Sequence, residues 1–198
     1  MLFDLIVPPR DSERIVRALT LGDLQTLSLT RGENAGSLPY QEPAVKALIW
    51  ELKYYKNKKA AELAGEFLAD LLIAIAAEGL GKPLLIPIPM HATRRKARGH
   101  NQTETLCKAV LRNAPDCFDY APNILVRERD TPMQQKLMRH ERLKNVKGSM
   151  NVRDPLRVAH RACIVVDDVT TTGATLAEAC RALHAAGARH VERVALAC

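Results

Sequence analysis

Two familiar glycine-rich phosphate cradles are missing from this chain of 198 residues: it has no GxxxxGK[ST] P-loop and no GxGxxG dinucleotide fingerprint. Cysteine is sparse and scattered, at 107, 117, 163, 180 and 198, and is never spaced CxxC. An odd, unspaced set argues against a disulfide framework and a cysteine zinc knuckle, and makes a reducing cytoplasm the expected setting. Long hydrophobic runs are absent too. The longest purely apolar stretch, Leu71 to Ala77, is far too short to span a bilayer. Nor does the N-terminus read as a secretory leader: Asp4 interrupts its apolar stretch, no basic region precedes it, and Pro8-Pro9 ends it. No Ser/His/Asp or Cys/His arrangement stands out as a nucleophilic constellation.

What is present is an ordinary globular composition, 47% hydrophobic and 26% charged, long enough for one domain with a small appendage. Wholesale disorder is excluded. The net charge of +7 is unevenly placed. Residues 91–161 carry 16 Lys and Arg against 7 Asp and Glu, net +9, and the remainder is net −2. A polyanion is therefore expected to dock on the middle stretch, and nucleic acid and a phosphorylated small molecule both qualify.

Periodicity predicts a helix over 11–30, with Ile15, Val16, Leu19, Leu24 and Leu27 as a broken apolar stripe. Residues 31–41 are turn-rich. Two further helices follow, one marked by Val45, Leu48, Ile49 and Leu52, the other running from Leu63 to Ile75, with a break near Lys56 to Lys59. From Leu84 the pattern changes. Strands are expected at 84–89, 124–126, 162–166 and 191–197, with a basic loop at 91–98, a helix at 101–113 and another reaching Ala186. Alternating strands and helices at this spacing predict an α/β fold, a parallel sheet flanked by helices. Ligands in such sheets bind at the carboxyl ends of the strands, which points to the loops after Pro89, Val126 and Val166.

The last of these is the most informative. Four apolar residues, Cys163 to Val166, lead to Asp167 and Asp168, and Thr170-Thr171-Thr172-Gly173-Ala174-Thr175 then opens a helix. A helix start has unpaired N–H groups and the positive end of the dipole, so it suits a phosphate. Gly173 allows close backbone approach, and threonine hydroxyls add donors. Adjacent carboxylates can grip vicinal hydroxyls, directly or through hydrated Mg2+. A phosphate cradle beside a diol clamp describes ribose 5-phosphate. The plainer alternative is an acidic strand end followed by a threonine helix cap.

This motif resembles the phosphoribosyl pyrophosphate signature of type I phosphoribosyltransferases. The resemblance implies that Asp167 and Asp168 hold the ribose hydroxyls, while Val169, Thr170, Thr171, Thr172, Gly173, Ala174 and Thr175 wrap the 5-phosphate. Further segments resemble the ComF family: Leu52-Lys53-Tyr54, Pro87-Ile88-Pro89, Arg98-Gly99-His100-Asn101-Gln102, Thr131-Pro132, Gln134, Arg142 with Asn145-Val146, and Gly148. ComF-like proteins are implicated in handling DNA during competence. The implied organisation is a helical hood segment at 1–40 and a phosphoribosyltransferase-like domain at 41–198. Family members usually carry an N-terminal zinc-binding cysteine cluster, whereas residues 10–40 here hold neither Cys nor His, so no zinc is expected. His100 replaces the usual aromatic after Arg-Gly.

Arg94, Arg95, Lys96 and Arg98 follow the first strand, where a type I enzyme places its pyrophosphate loop; a solvated basic turn or a nucleic-acid contact fits them equally. The connection 127–149 would be the mobile loop, with Gln134, Arg139, Arg142 and Asn145 as its ligand candidates. His91, His140 and His160 read as surface residues, and Trp50 as core. The implied chemistry is pyrophosphate displacement at the anomeric carbon by a nitrogen nucleophile, with Mg2+ carried by the ligand. Two rivals stand beside it. One is a non-catalytic single-stranded DNA-binding accessory protein, which the few aromatics at 91–161 disfavour; the other is a phosphoribosyl pyrophosphate sensor.

Overall fold

Cys163 to Val166 are buried almost completely because β5 (Ala162–Val169) is sandwiched between helical layers. In the computed structural model, which describes residues 10–29, 36–79, 81–129 and 146–198, this strand is central to a parallel sheet ordered β2-β1-β5-β6. Its partners are β1 (Leu84–Pro87), β2 (Asp119–Tyr120) and β6 (His190–Ala197). Side chains alternate across a strand, so Ile164 and Val166 enter one core and Cys163 and Val165 the other.

The first face is covered by α1 (Asp11–Ala18), α2 (Leu21–Leu27), α3 (Pro43–Trp50), α4 (Lys58–Ala77) and α6 (Gln102–Asn113). The helix expected over 11–30 is thus two helices. Leu19 turns extended, and the Thr20 hydroxyl accepts the Asp23 N–H while the Asp23 carboxylate accepts the Thr20 N–H, a capping box that restarts the helix. A π-helical segment, Glu51–Tyr55, continues α3 and ends at Lys56, whose φ is +50°. The opposite face is covered by α8 (Ala174–Ala185), α7 (Pro155–Val158) and a two-stranded antiparallel sheet of β3 (Leu125–Arg127) and β4 (Met150–Val152).

The strand expected at 124–126 is therefore not part of the parallel sheet; Asp119 and Tyr120 take that edge position. The basic stretch after β1 is not a loop but a short helix, α5 (Ala92–Arg98), capped by the His91 ring, which accepts the Thr93 N–H. Trp50 is 50% exposed rather than core. The buried stripe of this helix is Val45, Leu48, Ile49 and Leu52, and a residue one step beyond Ile49 is turned about 100° away from it. Gln134, Arg139, Arg142 and Asn145 lie outside the described residues.

Chain direction fixes where a ligand can sit. From β1 the chain crosses to β2 on one side, and from β5 it crosses to β6 on the other. Between β1 and β5 the order diverges, and the crevice beyond their carboxyl ends is where such sheets hold ligands.

Candidate functional site

Asp167 and Asp168 close β5 at that crevice, 7% and 5% exposed. The backbone folds onto the pair: the Asp168 N–H donates to Asp167 Oδ1 at 2.9 Å, and the Val169 N–H donates to Asp168 Oδ1 at 2.8 Å. Burial, and after it the charge of Asp168, push the Asp167 carboxyl well above the usual range. Asp168 Oδ2 is buried and accepts no hydrogen bond, yet Lys53 Nζ lies 3.1 Å away. That contact is an ion pair whose angles fall short of a hydrogen bond.

Thr170 is fastened by its N–H to the Ala197 carbonyl at the end of β6. Thr171 is exposed, Thr172 and Gly173 are half-buried, and α8 begins at Ala174. Gly173, at φ +72°, occupies the cap position, where the helix has no side-chain cap. A Cβ built on it would have open space around it. An uncapped helix start with free volume before it suits an anion. The structure brings this turn and the acidic pair into one continuous stretch; Thr175 and Ala174 form the first helical positions.

The neighbouring strand supplies a second wall. The Ile88 carbonyl at the end of β1 accepts from Asn101 Nδ2 at 3.1 Å and from Thr103 Oγ1 at 2.7 Å. These bonds pin the start of α6 and satisfy the buried polar side chains of Asn101 and Thr103. The cations of α5 are divided. Arg95 grips the Glu104 carboxylate at 2.6 and 3.1 Å, and Arg98 donates to Gln102 Oε1 at 3.0 Å. Lys96 is exposed, and Arg94 is half-buried with interactions of its own.

The π-helical segment joins the site from the helical layer. His100 Nε2 lies 2.9 Å from the Leu52 carbonyl and Nδ1 3.2 Å from the Arg98 carbonyl, so the ring bridges the π-helical segment and the end of α5. Arg98 lies 5.1 Å over the Tyr54 ring, and Tyr54 is tilted against Trp50 at 4.4 Å. Glu51, with no exposed surface, anchors the segment by accepting from Arg10 (3.3 and 3.1 Å), Ser12 (2.6 Å) and Asn57 (2.9 Å). Lys53 and this aromatic group escaped the sequence reading as site residues. Leu52-Lys53-Tyr54 figured there only as a likeness, and the pairing of Lys53 with Asp168 has no local signal.

A cavity of about 230 Å3 opens at the other end of the sheet, between Ile75, Pro83, Cys163 and His190, and shares no residue with the acidic corner. Among the described residues no group of three or more His, Cys, Asp and Glu is placed to hold a metal ion, and no helix is long and apolar enough to cross a membrane.

Residues 59–198 match the family model described as phosphoribosyl transferase domain. The chain is 31% identical over 152 residues to the DNA utilization protein YhgH of Salmonella typhi, covering 76% of this chain and 65% of that protein. It is 30% identical over 111 residues to Competence protein F of Haemophilus influenzae, covering 54% of this chain and 47% of that one. The chain therefore spans somewhat less than two thirds of the first relative and about half of the second. Among solved structures, the glutamine phosphoribosylpyrophosphate amidotransferase of B. subtilis aligns with a TM-score of 0.44 at 14% identity, over 75% of this chain and 30% of that chain. A hypoxanthine phosphoribosyltransferase from Staphylococcus aureus aligns with a TM-score of 0.40 at 12% identity, over 68% and 61%.

Proposed function

We propose, from the premise that the chain belongs to the phosphoribosyl transferase domain family, that the corner between β5 and α8 binds phosphoribosyl pyrophosphate with Mg2+ and transfers its phosphoribose to a nitrogen nucleophile. One observation carries the reading: a buried acidic pair with an acceptor oxygen lacking a hydrogen bond stands directly before an uncapped helix start whose glycine leaves open space.

The division of labour follows from chemistry. The 5-phosphate would sit against the turn Thr170 to Thr175, drawing on amide donors, hydroxyls and the helix dipole. The vicinal hydroxyls would donate to Asp167 and Asp168. The same carboxylates fit a hydrated Mg2+ arriving with the ligand, since hard cations take oxygen ligands and Asp168 Oδ2 accepts no hydrogen bond, meeting only the Lys53 ammonium. When bound, Mg2+ would supply positive charge to the leaving pyrophosphate. In the reaction the anomeric C–O bond breaks with its electron pair going to pyrophosphate, the nitrogen lone pair forms the C–N bond, and the nitrogen sheds a proton. The protein's contribution is positioning, charge stabilisation and water exclusion. Of the α5 cations, Lys96 and Arg98 are better candidates for pyrophosphate than Arg95, whose guanidinium is held by Glu104. The proposal extends to a ComF-like role in DNA uptake or nucleotide metabolism in the cytoplasm, in keeping with relatives named for DNA utilization and competence.

Calorimetry with phosphoribosyl pyrophosphate and Mg2+ is expected to give micromolar to submillimolar binding, abolished when Asp167 and Asp168 both become Asn. Undiminished affinity in that double variant refutes the carboxylate assignment. A folded Gly173→Val variant is expected to lose binding as well, because the branched side chain would fill the space the phosphate needs. Pyrophosphate release across a panel of nitrogen acceptors separates an enzyme from a sensor of the donor.

A second reading has an observation behind it. Trp50, Tyr54 and Tyr55 are 50%, 50% and 43% exposed, with Arg98 over Tyr54 and Arg10 over Tyr55. Exposed rings interleaved with cations suit stacked bases of single-stranded DNA, so another part of the chain adds to the few aromatics of 91–161.

A further inference from the structure

Lys53 stands in the donor corner with no role in the reading above. Its Nζ reaches Asp168 Oδ2 from the π-helical segment, and its side chain is only 20% exposed. The pair is held by charge without hydrogen-bond geometry. Backbone N–H groups donate to Asp167 Oδ1 and Asp168 Oδ1. Asp168 Oδ2 is therefore the acceptor that a ribose hydroxyl or a ligand-borne cation would need, and Lys53 occupies its approach.

Two buried carboxylates side by side are costly unless a positive charge meets them. A lysine meets that need in a way an arginine does not: it is a point charge on a flexible stem rather than a fork that locks onto both oxygens, so it can leave at little geometric cost. Its backbone is well placed for such a part. Glu51, through Arg10 and Asn57, and Leu52, through His100, anchor the segment immediately before Lys53, so the backbone can stay while the ammonium moves. π-helical insertions are found disproportionately at functional sites.

Resting on the donor-site reading, we propose that Lys53 is a displaceable counter-ion: it neutralises Asp168 in the free protein and gives up that carboxylate when the donor's diol or its cation arrives. Breaking the pair is then subtracted from donor affinity, and Lys53 tunes how tightly the donor is held rather than touching its reacting atoms.

The test compares Lys53→Met, which removes the charge at similar length, with Lys53→Arg, which keeps the charge and adds the fork. Calorimetric titration with phosphoribosyl pyrophosphate and Mg2+ is expected to show Lys53→Met binding about tenfold more tightly than wild type, equivalent to about 1.4 kcal/mol. Lys53→Arg is expected to bind several-fold more weakly. The ligand-free Met variant is expected to melt below wild type. A purely structural role would weaken binding in both variants, and a direct ligand contact would weaken it in the Met variant; either result overturns the inference. If Lys53→Met does not fold, Lys53→Arg decides, and unchanged or tighter binding there overturns it. A wild-type protein that binds no donor at all is a different failure, one that removes the functional reading itself.

Discussion

Glu51 has no exposed surface and is met by Arg10, Ser12 and Asn57. Burial alone would raise its carboxyl, but the hydrogen bonds from Arg10, Ser12 and Asn57 outweigh it and hold the group below its ordinary 4.5. A carboxylate lowered in the folded state contributes stability at pH values above its unfolded value, and that stability is lost as pH falls through the folded value. Glu51→Gln is therefore expected to melt well below wild type at pH 7, with the gap closing as the pH drops below about 4.5. Melting curves across that window check it, and a gap independent of pH would show that the charge is not what Glu51 contributes. Glu178 is a second case: burial opposes its charge, but Arg181 and the Met150 N–H lower it, tying α8 to β4. Each of these carboxylates joins segments distant in sequence, which is why neither drew attention in the chain alone.

At the scale of elements, α4 and α6 cross closely because Gly65 has no side chain. A Cβ there would stand 2.3 Å from Ala109 Cβ and 2.8 Å from its carbonyl carbon. Replacing a helical glycine by alanine ordinarily gains up to about 1 kcal/mol, but overpacking against backbone costs about 1–3 kcal/mol. The second effect wins, so Gly65→Ala is expected to lower Tm by several degrees; an unchanged or higher Tm would mean the helices separate freely.

The elements also differ in how far the chain discloses them. β5 and α8 were legible, because a both-faces-buried strand followed by a threonine-glycine turn has a distinct local pattern. The break at Leu19-Thr20 was not, since the apolar stripe runs through it and only the Thr20 and Asp23 capping box records the restart. β3 is three residues long, and so short an apolar run looks alike in either kind of sheet. α5 was read as a loop because its seven residues are mostly charged or small and bury none of their number. Within the site, the acidic pair and its turn were contiguous and readable. Lys53, His100 and Trp50 acquire meaning only when the π-helical segment is folded against the crevice.

At the scale of the molecule, the basic middle stretch and the exposed aromatics meet where Arg98 covers Tyr54. If single-stranded DNA binds there, affinity should fall steeply with salt, and Trp50→Ala with Tyr54→Ala should cost about 1–3 kcal/mol per lost base stack. Fluorescence anisotropy of a labelled oligonucleotide across a salt series reads both. Affinity untouched by the double change would take the aromatic group out of the account. Lys53 faces Asp168 while Trp50 and Tyr54 face solvent, so Arg98 over Tyr54 is the residue that the donor reading and the DNA reading both claim.

The most direct test of the central claim is a crystal of this protein soaked with phosphoribosyl pyrophosphate and Mg2+. The expected density places the 5-phosphate at the amino end of α8 beside Gly173 and the ribose hydroxyls within hydrogen-bonding distance of Asp167 and Asp168. Density elsewhere on the molecule, with this corner unchanged and Lys53 still on Asp168 at saturating donor, would contradict it.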